Sequence, residues 1–175
     1  MNKRTFLKTM AGAIAVPTAA LGYKSILAAT ESDKPAMMDS TMADNAIVKL
    51  ELSDNEWKDK LTPMQYKVLR KEGTEKPFTS ELNDEKRAGE FACAGCGLVL
   101  FTQDQKFDSG TGWPSFFDVI EGRVGTTTDY KLILPRTEYH CARCGGHHGH
   151  VFKDGPQPTG LRYCNNGVAL KFIPA

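Results

Sequence analysis

Two cysteine pairs with the same spacing constrain this chain more than any other feature of its sequence. The pairs are Cys93-Ala-Gly-Cys96 and Cys141-Ala-Arg-Cys144, and the fifth cysteine, Cys164, lies apart from them near the C-terminus. Two such turns can each direct two thiolates at one ion, and four thiolates close a tetrahedral zinc site with no open coordination position. The spacing therefore predicts a structural zinc site and leaves Cys164 as the one cysteine outside it.

The 44 residues between Cys96 and Cys141 exceed the roughly 15 to 20 that separate the pairs of a compact zinc ribbon. The fold of an intervening domain must therefore bring the two turns together. Three alternatives stay open from the spacing alone: two disulfides, a CxxC redox centre, or four unrelated buried thiols. We favour structural zinc because both pairs have glycines at turn positions, namely Gly95, Gly97, Gly145 and Gly146.

The chain length fits one domain with an appendage at its N-terminus. The 175 residues are 41% hydrophobic and 25% charged, as in an ordinary globular domain. Residues 1–29 begin with a basic run and continue as a mildly apolar stretch rich in Ala and Gly, which predicts an export signal rather than a spanning helix. Residues 30–46 mix Thr, Ser, Asp, Pro and Met without a period and predict a flexible linker. The folded domain is expected at residues 47–175.

The start of the signal resembles a twin-arginine export signal. The segment Asn2-Lys-Arg-Thr-Phe-Leu-Lys8 has Lys3 in place of the first arginine. We therefore expect an exported, periplasmic protein that meets the membrane only through this signal, with an ordinary signal peptide or an uncleaved anchor as alternatives. An oxidising periplasm favours disulfides. The resemblance implies export in the folded state, so zinc bound in the cytoplasm can protect the thiolates.

The charge balance argues against a nucleic-acid partner. The whole chain has 22 basic and 21 acidic side chains, and four basic residues but no acidic one lie in residues 1–29. Removal of the signal leaves 18 basic against 21 acidic side chains, a net charge of −3. A mildly acidic domain offers no polycationic face to neutralise phosphates.

Two helices followed by a β-rich body are predicted for the domain. The segments Ser53-x-x-Glu56 and Thr62-x-x-Gln65 are capping boxes, the second with Pro63 at the first helical position. Gly73 is a suitable stop for the second helix. Apolar runs then predict strands at 98–101, at 131–134 and, with a period of two, at 168–172.

Three loops carry residue types that are common in active sites. They are Gly112-Trp-Pro-Ser-Phe-Phe117, Gly146-His-His-Gly-His-Val-Phe152 and Gly160-Leu-Arg-Tyr-Cys-Asn-Asn166. Cys164 is a candidate nucleophile, although a cysteine beside an apolar strand is as often a small core residue. His147 and His150 are free for proton transfer or hydrogen bonding if four thiolates already fill the zinc sphere. Trp113 taken alone is more often a core residue than a ligand platform.

Six motifs follow one another along the chain. They are Cys93-x-x-Cys96, Ser109-Gly-Thr-Gly-Trp-Pro-Ser-Phe116, Cys141-x-x-Cys144, Gly146-His-x-Gly-His-Val-Phe152, Asp154-Gly-Pro-x-Pro-Thr-Gly160 and Arg162-Tyr-Cys-x-Asn166. Together they resemble the B-type methionine-R-sulfoxide reductases, and the resemblance covers residues 50–173. It implies a mainly β fold of two antiparallel sheets with short N-terminal helices, held together by structural zinc on the two cysteine pairs. No organic cofactor is implied.

The same resemblance implies a role for each candidate site residue. Cys164 matches the nucleophile, which attacks the sulfoxide sulfur, releases methionine and becomes a sulfenic acid. Three residues match those that hydrogen-bond and help to protonate the sulfoxide oxygen, namely His147, His150 and Asn166. Trp113 matches the residue that holds the methyl group of the substrate, and Phe152 lies beside it. The expected activity is reduction of the R epimer of methionine sulfoxide, peptide-bound or also free, in the repair of oxidised proteins.

Elementary chemistry agrees with that assignment. A sulfoxide sulfur becomes electrophilic as its oxygen gains a proton, so the site needs a thiolate, an acid and an apolar methyl pocket together. The sulfur is pyramidal, and exchanging methyl and oxygen would place the oxygen against the indole of Trp113 and the methyl against the imidazoles. One epimer should therefore react.

Thr111 departs from a common pattern of the family. Many members carry a resolving cysteine at this position, and with four cysteines on zinc none is left to form an internal disulfide with Cys164. Recycling is then expected to use an external, thioredoxin-like thiol. Two rival functions remain open from the residues alone: a zinc-stabilised binding module in which Cys164 is structural and inert to labelling, and a disulfide oxidoreductase with a labile CxxC pair.

Overall fold

The computed structural model describes residues 47–131 and 134–175. The predicted export signal (1–29), the predicted linker (30–46) and the middle of the strand predicted at 131–134 lie outside these residues. Within the described ranges, no helix has the length and apolar character that a membrane crossing requires.

Two short helices begin the described part of the chain, as the capping boxes predict. Helix α1 spans Asp54–Lys60 and helix α2 spans Pro63–Lys71, and both capping boxes are formed. The predicted stop is wrong by one residue, because the left-handed residue after α2 is Glu72, with a φ of 52°. Position 73 still requires a glycine, because a Cβ there would lie only 2.9 Å from the carbonyl oxygen of Lys67.

The rest of the domain consists of two antiparallel sheets, which confirms the mainly β fold class. The strands are β1 (Gly89–Cys93), β2 (Val99–Thr102), β3 (Lys106–Phe107), β4 (Ser115–Phe116), β5 (Val124–Asp129), β6 (Arg136–Cys141), β7 (His147–Phe152), β8 (Arg162–Asn165) and β9 (Leu170–Pro174). The smaller sheet has the order β2-β1-β9 and the larger one the order β3-β4-β8-β7-β6-β5. Short 3-10 helices lie at Glu81–Asn83, Gln103–Gln105 and Gly167–Ala169.

The three strand predictions have different outcomes. The apolar run at 98–101 corresponds to β2, and the run at 168–172 corresponds to the last 3-10 helix followed by β9. The prediction at 131–134 is wrong at both ends of the segment, where Lys131 and Leu134 are exposed bends. The pairing of β5 with β6 ends at Asp129 and Arg136, so both ends of this run lie in the connection of a hairpin.

The two sheets pack face to face through aromatic side chains. Phe101 of β2 stacks on Phe116 of β4 with ring centroids 4.0 Å apart, and Phe91 of β1 meets Phe116 edge to face at 5.0 Å. Tyr139 of β6 is fully buried and meets Phe101 edge to face at 6.2 Å. Because β4 pairs with β8, this cluster also holds in place the strand that carries Cys164.

Candidate active site

The four paired cysteines come together, as their spacing predicts. Their sulfur atoms all lie within 4.8 Å of one another. The sulfurs of Cys93 and Cys144 are 3.7 Å apart, and those of Cys96 and Cys141 are 3.5 Å apart. Thiolates around one tetrahedral zinc ion with Zn–S of ~2.3 Å are about 3.8 Å from each other, whereas a disulfide bond is ~2.05 Å long. The donor set therefore fits one metal ion and not two disulfides.

The two CxxC turns share one backbone geometry. The Gly97 N–H donates to the Cys93 carbonyl at 2.8 Å, and the Gly145 N–H donates to the Cys141 carbonyl at 2.9 Å. Both glycines have positive φ angles, 75° and 67°, which glycine adopts at little cost. Since Cys93 ends β1 and Cys141 ends β6, a metal ion here would join the smaller sheet to the larger one.

Cys164 lies on β8 in the middle of the larger sheet. Its direct partners are Ser115 on β4 and His150 on β7. Residues directly opposite in an antiparallel pair point to the same face, with Cβ atoms about 4.5–5.5 Å apart. A Cβ on Gly149 would lie 1.9 Å from the carbonyl oxygen of Cys164, so a glycine is required beside His150. The sheet therefore places the thiol next to the imidazole.

Five of the six residues proposed for catalysis and substrate binding line one cavity of about 130 Å³. They are Trp113, His150, Phe152, Cys164 and Asn166, and the cavity is also lined by Thr74, Arg136, Gly149 and Asn165. The sixth, His147, is buried next to His150, with the ring centroids 5.6 Å apart. Pockets for drug-sized ligands have volumes of roughly 300–1,000 Å³. A cavity this small fits the end of one side chain.

A carboxylate orients each of the two histidines. His150 Nε2 lies 2.8 Å from Asp129 Oδ2, and His147 Nδ1 lies 2.8 Å from Glu138 Oε1. Burial lowers the pKa of His150, and Asp129 acts in the opposite direction. A neutral His150 ring that donates from Nε2 to Asp129 keeps Nδ1 as an acceptor. The bond to Asp129 therefore leaves His150 with one ring nitrogen that can accept a proton.

The surroundings of the Cys164 thiol shift its pKa in opposite directions. Burial raises the pKa of Cys164, while the charge of Arg162 and hydrogen bonds from Thr111 and Arg162 act in the opposite direction. Arg162 makes two bonds to Asp154, at 2.8 and 2.9 Å, and its guanidinium lies 4.3 Å from the centroid of the Phe152 ring. A protonated thiol needs a base beside it before it can attack. The residue directly opposite Cys164 on β7 is His150.

Asn166 is held by backbone groups at both ends of its amide. Its Oδ1 accepts from the Glu75 N–H at 2.9 Å, and its Nδ2 donates to the His148 carbonyl at 2.8 Å. A carboxamide nitrogen carries two hydrogens, so one remains for a ligand in the cavity. The neighbouring Asn165 accepts from the Tyr139 hydroxyl at 2.6 Å and meets His148 Nδ1 at 3.1 Å. Burial lowers the pKa of His148 to about 4, so this buried network stays neutral.

Several charged residues of the site were missed from the sequence. Arg162 and Asp154 lie inside two of the six motifs, so they could have been found, but they received no role. Arg136 and Asp129 are direct partners across the β5–β6 hairpin, and Arg136 Nη2 lies 2.6 Å from Asp129 Oδ2. That pairing becomes visible only when the register of the hairpin is known.

Comparisons with known proteins identify similar chains. A SelR domain matches residues 61–174. Three curated proteins named "Peptide methionine sulfoxide reductase MsrB" are similar along most of their length. The protein of Methanosarcina mazei is 54% identical over 125 residues, which are 71% of this chain and 89% of that protein. The proteins of Bradyrhizobium diazoefficiens and Leifsonia xyli subsp. xyli are both 52% identical, over 75% and 78% of this chain and 93% and 98% of their own.

The matched span contains the whole candidate site. Residues 61–174 include all four clustered cysteines and every residue that lines the cavity beside Cys164. Residues 1–60 lie outside the match.

Proposed function

We propose, on the premise that the chain belongs to the SelR-domain family and is a methionine sulfoxide reductase of the MsrB type, that it reduces the R epimer of methionine sulfoxide in oxidised proteins. The observation that carries this proposal is the pairing of Cys164 with His150 across β8 and β7, at the wall of a cavity that Trp113 also lines. Thiol, base and apolar surface are thereby brought to one place, as reduction of a sulfoxide requires.

The proposed reaction moves one oxygen atom from the substrate sulfur to the sulfur of Cys164. His150 accepts the thiol proton as Cys164 attacks the sulfoxide sulfur, and the imidazolium then donates this proton to the sulfoxide oxygen. The attack forms a bond between the two sulfur atoms. The protonated oxygen then passes to the sulfur of Cys164: a new S–O bond forms there while the S–S bond and the S–O bond of the substrate break, and methionine leaves as the thioether. Cys164 keeps the oxygen as a sulfenic acid, so the cysteine loses two electrons and the sulfoxide gains two.

His147 and Asn166 assist the same oxygen in this proposal. Asn166 has one Nδ2 hydrogen left after its bond to the His148 carbonyl, and this hydrogen can donate to the sulfoxide. His147 is buried against His150 and bound to Glu138. Its contribution therefore passes through the His150 ring, whose position and proton affinity it influences.

The preference for the R epimer is proposed to arise because one wall of the cavity is aromatic and the other is polar. Trp113 and Phe152 present aromatic surface, and His150 and Asn166 present hydrogen-bonding groups to the same cavity. The R epimer is proposed to place its methyl group against the indole and its oxygen towards the polar wall while Cys164 reaches the sulfur. The S epimer would exchange methyl and oxygen, which leaves both groups without a suitable neighbour.

The sulfenic acid is proposed to react with an external thiol. Four of the five cysteines lie in the cluster. In the loop before β4, Thr111 is near enough to lower the pKa of Cys164, but its hydroxyl cannot form a disulfide. Two thiols of a thioredoxin-like reductant would restore the Cys164 thiol, leaving one disulfide on the reductant and releasing one water.

Zinc is the metal that we propose for the cluster formed by Cys93, Cys96, Cys141 and Cys144. Four thiolates at tetrahedral spacing are the usual donors of a structural zinc ion, which takes no part in the reaction. We also propose that the enzyme acts in the periplasm, on the strength of the twin-arginine-like residues at 2–8. Oxidised methionine in exported proteins would be its substrate there.

A stereospecific assay tests the proposed function. Peptides that contain only R- or only S-methionine sulfoxide are incubated with the enzyme and dithiothreitol, and methionine formation is followed by chromatography. We expect the wild type to convert the R peptide and to leave the S peptide nearly untouched. Equal rates on the two epimers would contradict the proposed pocket, whereas no reaction with either would contradict the activity itself.

A further inference from the structure

A buried glutamate beside the cavity has no part in the reaction proposed above. Glu75 lies in the connection between α2 and β1 and is only 4% exposed. Glutamate is almost never buried to this extent unless its charge is paired or hydrogen-bonded. The partners of its carboxylate and of its backbone lie in two other segments that form the site.

The carboxylate of Glu75 binds the chain just after Cys164. The Gly167 N–H donates to Oε1 at 2.5 Å, and the Val168 N–H donates to Oε2 at 3.0 Å. These two residues begin the 3-10 helix that follows β8. Hydrogen bonds to an ionised acceptor are about twice as strong as those between neutral groups. Through these two hydrogen bonds the Glu75 carboxylate holds residue 75 against the end of β8, the strand that carries the proposed nucleophile.

The backbone of Glu75 holds two side chains of the cavity. Its N–H donates to Asn166 Oδ1 at 2.9 Å, and its carbonyl accepts from the Trp113 indole Nε1–H at 3.3 Å. Trp113 and Asn166 both line the cavity beside Cys164. Residue 75 thus connects the indole wall to the amide wall.

We propose that Glu75 is a positioning residue for the sulfoxide pocket. Its carboxylate locks the connection between α2 and β1 onto the end of β8, and the locked backbone sets the orientation of the Trp113 indole relative to Asn166 and Cys164. The R epimer is distinguished from the S epimer by that orientation. This inference rests on the proposed function, in which Trp113 holds the methyl group of the substrate.

A second attachment allows this inference to be tested without unfolding the protein. The Phe78 N–H donates to the Gly112 carbonyl at 2.7 Å, and Asn83 Nδ2 donates to the same carbonyl at 3.1 Å. These bonds join the same connection to the loop of Trp113 and do not involve Glu75. Loss of the carboxylate should therefore leave the segments together and alter the direction of the indole.

The substitution Glu75→Gln tests the positioning role. Glutamine keeps the size of the side chain and one acceptor oxygen, but its NH₂ group opposes the second backbone N–H. The matched control is Glu81→Gln, which makes the same chemical change at an exposed residue of the same connection. Each variant is assayed on the R and S peptides, and kcat and KM are determined separately per mole of folded enzyme.

An NMR signal reports on the indole directly. The chain has two tryptophans, so a ¹H–¹⁵N spectrum contains two indole N–H signals, and Trp113→Phe identifies the one from Trp113. We expect Glu75→Gln to lower kcat/KM for the R peptide about 10- to 100-fold, the scale of a small misplacement of a catalytic site. The preference for R over S should shrink, and the Trp113 signal should shift while the Trp57 signal stays. Glu81→Gln should behave as the wild type.

Unchanged kcat/KM and epimer preference in folded Glu75→Gln would overturn the positioning role, and so would a loss of activity with an unmoved Trp113 signal. If Glu75→Gln does not fold, Glu75→Asp, which is one methylene shorter, is measured in the same way and decides the matter. Failure of the proposed function has a different signature, because the wild type itself would then lack activity or epimer preference.

Discussion

Cys164 and His150 lie directly opposite each other on adjacent antiparallel strands, so the distance between thiol and imidazole is set by the sheet rather than by a loop. Asp129, at the end of β5 in the same sheet, binds Nε2 of that imidazole at 2.8 Å. The two groups proposed to react are therefore oriented before a substrate binds.

The substitution Arg162→Met should raise the pKa of Cys164. The charge of Arg162 and its hydrogen bond both lower that pKa, against the effect of burial. Because the thiolate forms only as the pH rises past the pKa, alkylation of Cys164 in the variant should need more alkaline solution than in the wild type. The rate of iodoacetamide labelling at Cys164 as a function of pH, followed by mass spectrometry, measures this shift.

A variant that should shift the pKa of Cys164 in the opposite direction serves as the control for Arg162→Met. The charge of Asp154 raises the pKa of Cys164, so Asp154→Asn should move the labelling curve towards lower pH. Movement of both curves in the same direction would contradict the electrostatic origin assigned to them.

Removal of the carboxylate partner of His150 should slow the reaction through that histidine. Asp129 raises the pKa of His150, so Asp129→Asn should lower it further and weaken the ring as a proton acceptor. We expect His150→Ala to slow the reductive step by about 10²-fold or more, the scale of a lost general acid or base. Asp129→Asn should have a smaller effect and add little to His150→Ala. Single-turnover rates of the two single variants and of the double variant test this expectation. It would be contradicted if the rate loss of the double variant equalled the product of the two single losses.

Loss of one cysteine of the cluster should remove metal and stability together. In Cys141→Ser the remaining three thiolates hold zinc less tightly, and because metal binding is coupled to folding, the melting temperature should fall with the zinc content. Metal analysis and thermal unfolding check this, with Cys164→Ser as the control that keeps its zinc. A folded wild-type protein without zinc and with four oxidised thiols would contradict the assignment.

A thiol at position 111 should change how the enzyme is recycled. The Thr111 side chain is near enough to lower the pKa of Cys164, so Thr111→Cys should bring a second sulfur close to the proposed nucleophile. A disulfide requires Cβ atoms about 3.5–4.5 Å apart, and we expect one to form after a single turnover and to improve reduction by thioredoxin-like donors. Thr111→Ser, which keeps the hydroxyl, is the matched control. A variant that still ends as a sulfenic acid would contradict the expected geometry.

The cysteine cluster and the helices could be predicted because their signals are local. Paired spacing around Cys93 and Cys141 defines two turns, and a capping box such as Ser53-x-x-Glu56 specifies its own hydrogen bonds. The exact end of α2 could not be predicted in this way, because the left-handed conformation fell on Glu72 rather than on the glycine.

The charged partners in the site could not be predicted, because they meet through the fold. Glu75 binds the backbone of Gly167, which is 92 residues away in sequence, and no local pattern announces such a contact. The contact between Asp129 and Arg136 depends on the register of a hairpin, whereas the apolar run between them predicts a strand. Contacts that depend on long-range strand register therefore could not be predicted from local sequence patterns.

Mass spectrometry after one turnover tests the central role of Cys164 most directly. Wild-type enzyme is mixed with a peptide containing R-methionine sulfoxide and no reductant, and a dimedone-type reagent is added to trap sulfenic acid. We expect about one methionine per enzyme and the trapped adduct on Cys164 alone, with neither product in Cys164→Ser. An internal disulfide between Cys164 and a cysteine of the cluster, or methionine formed by Cys164→Ser, would contradict the account.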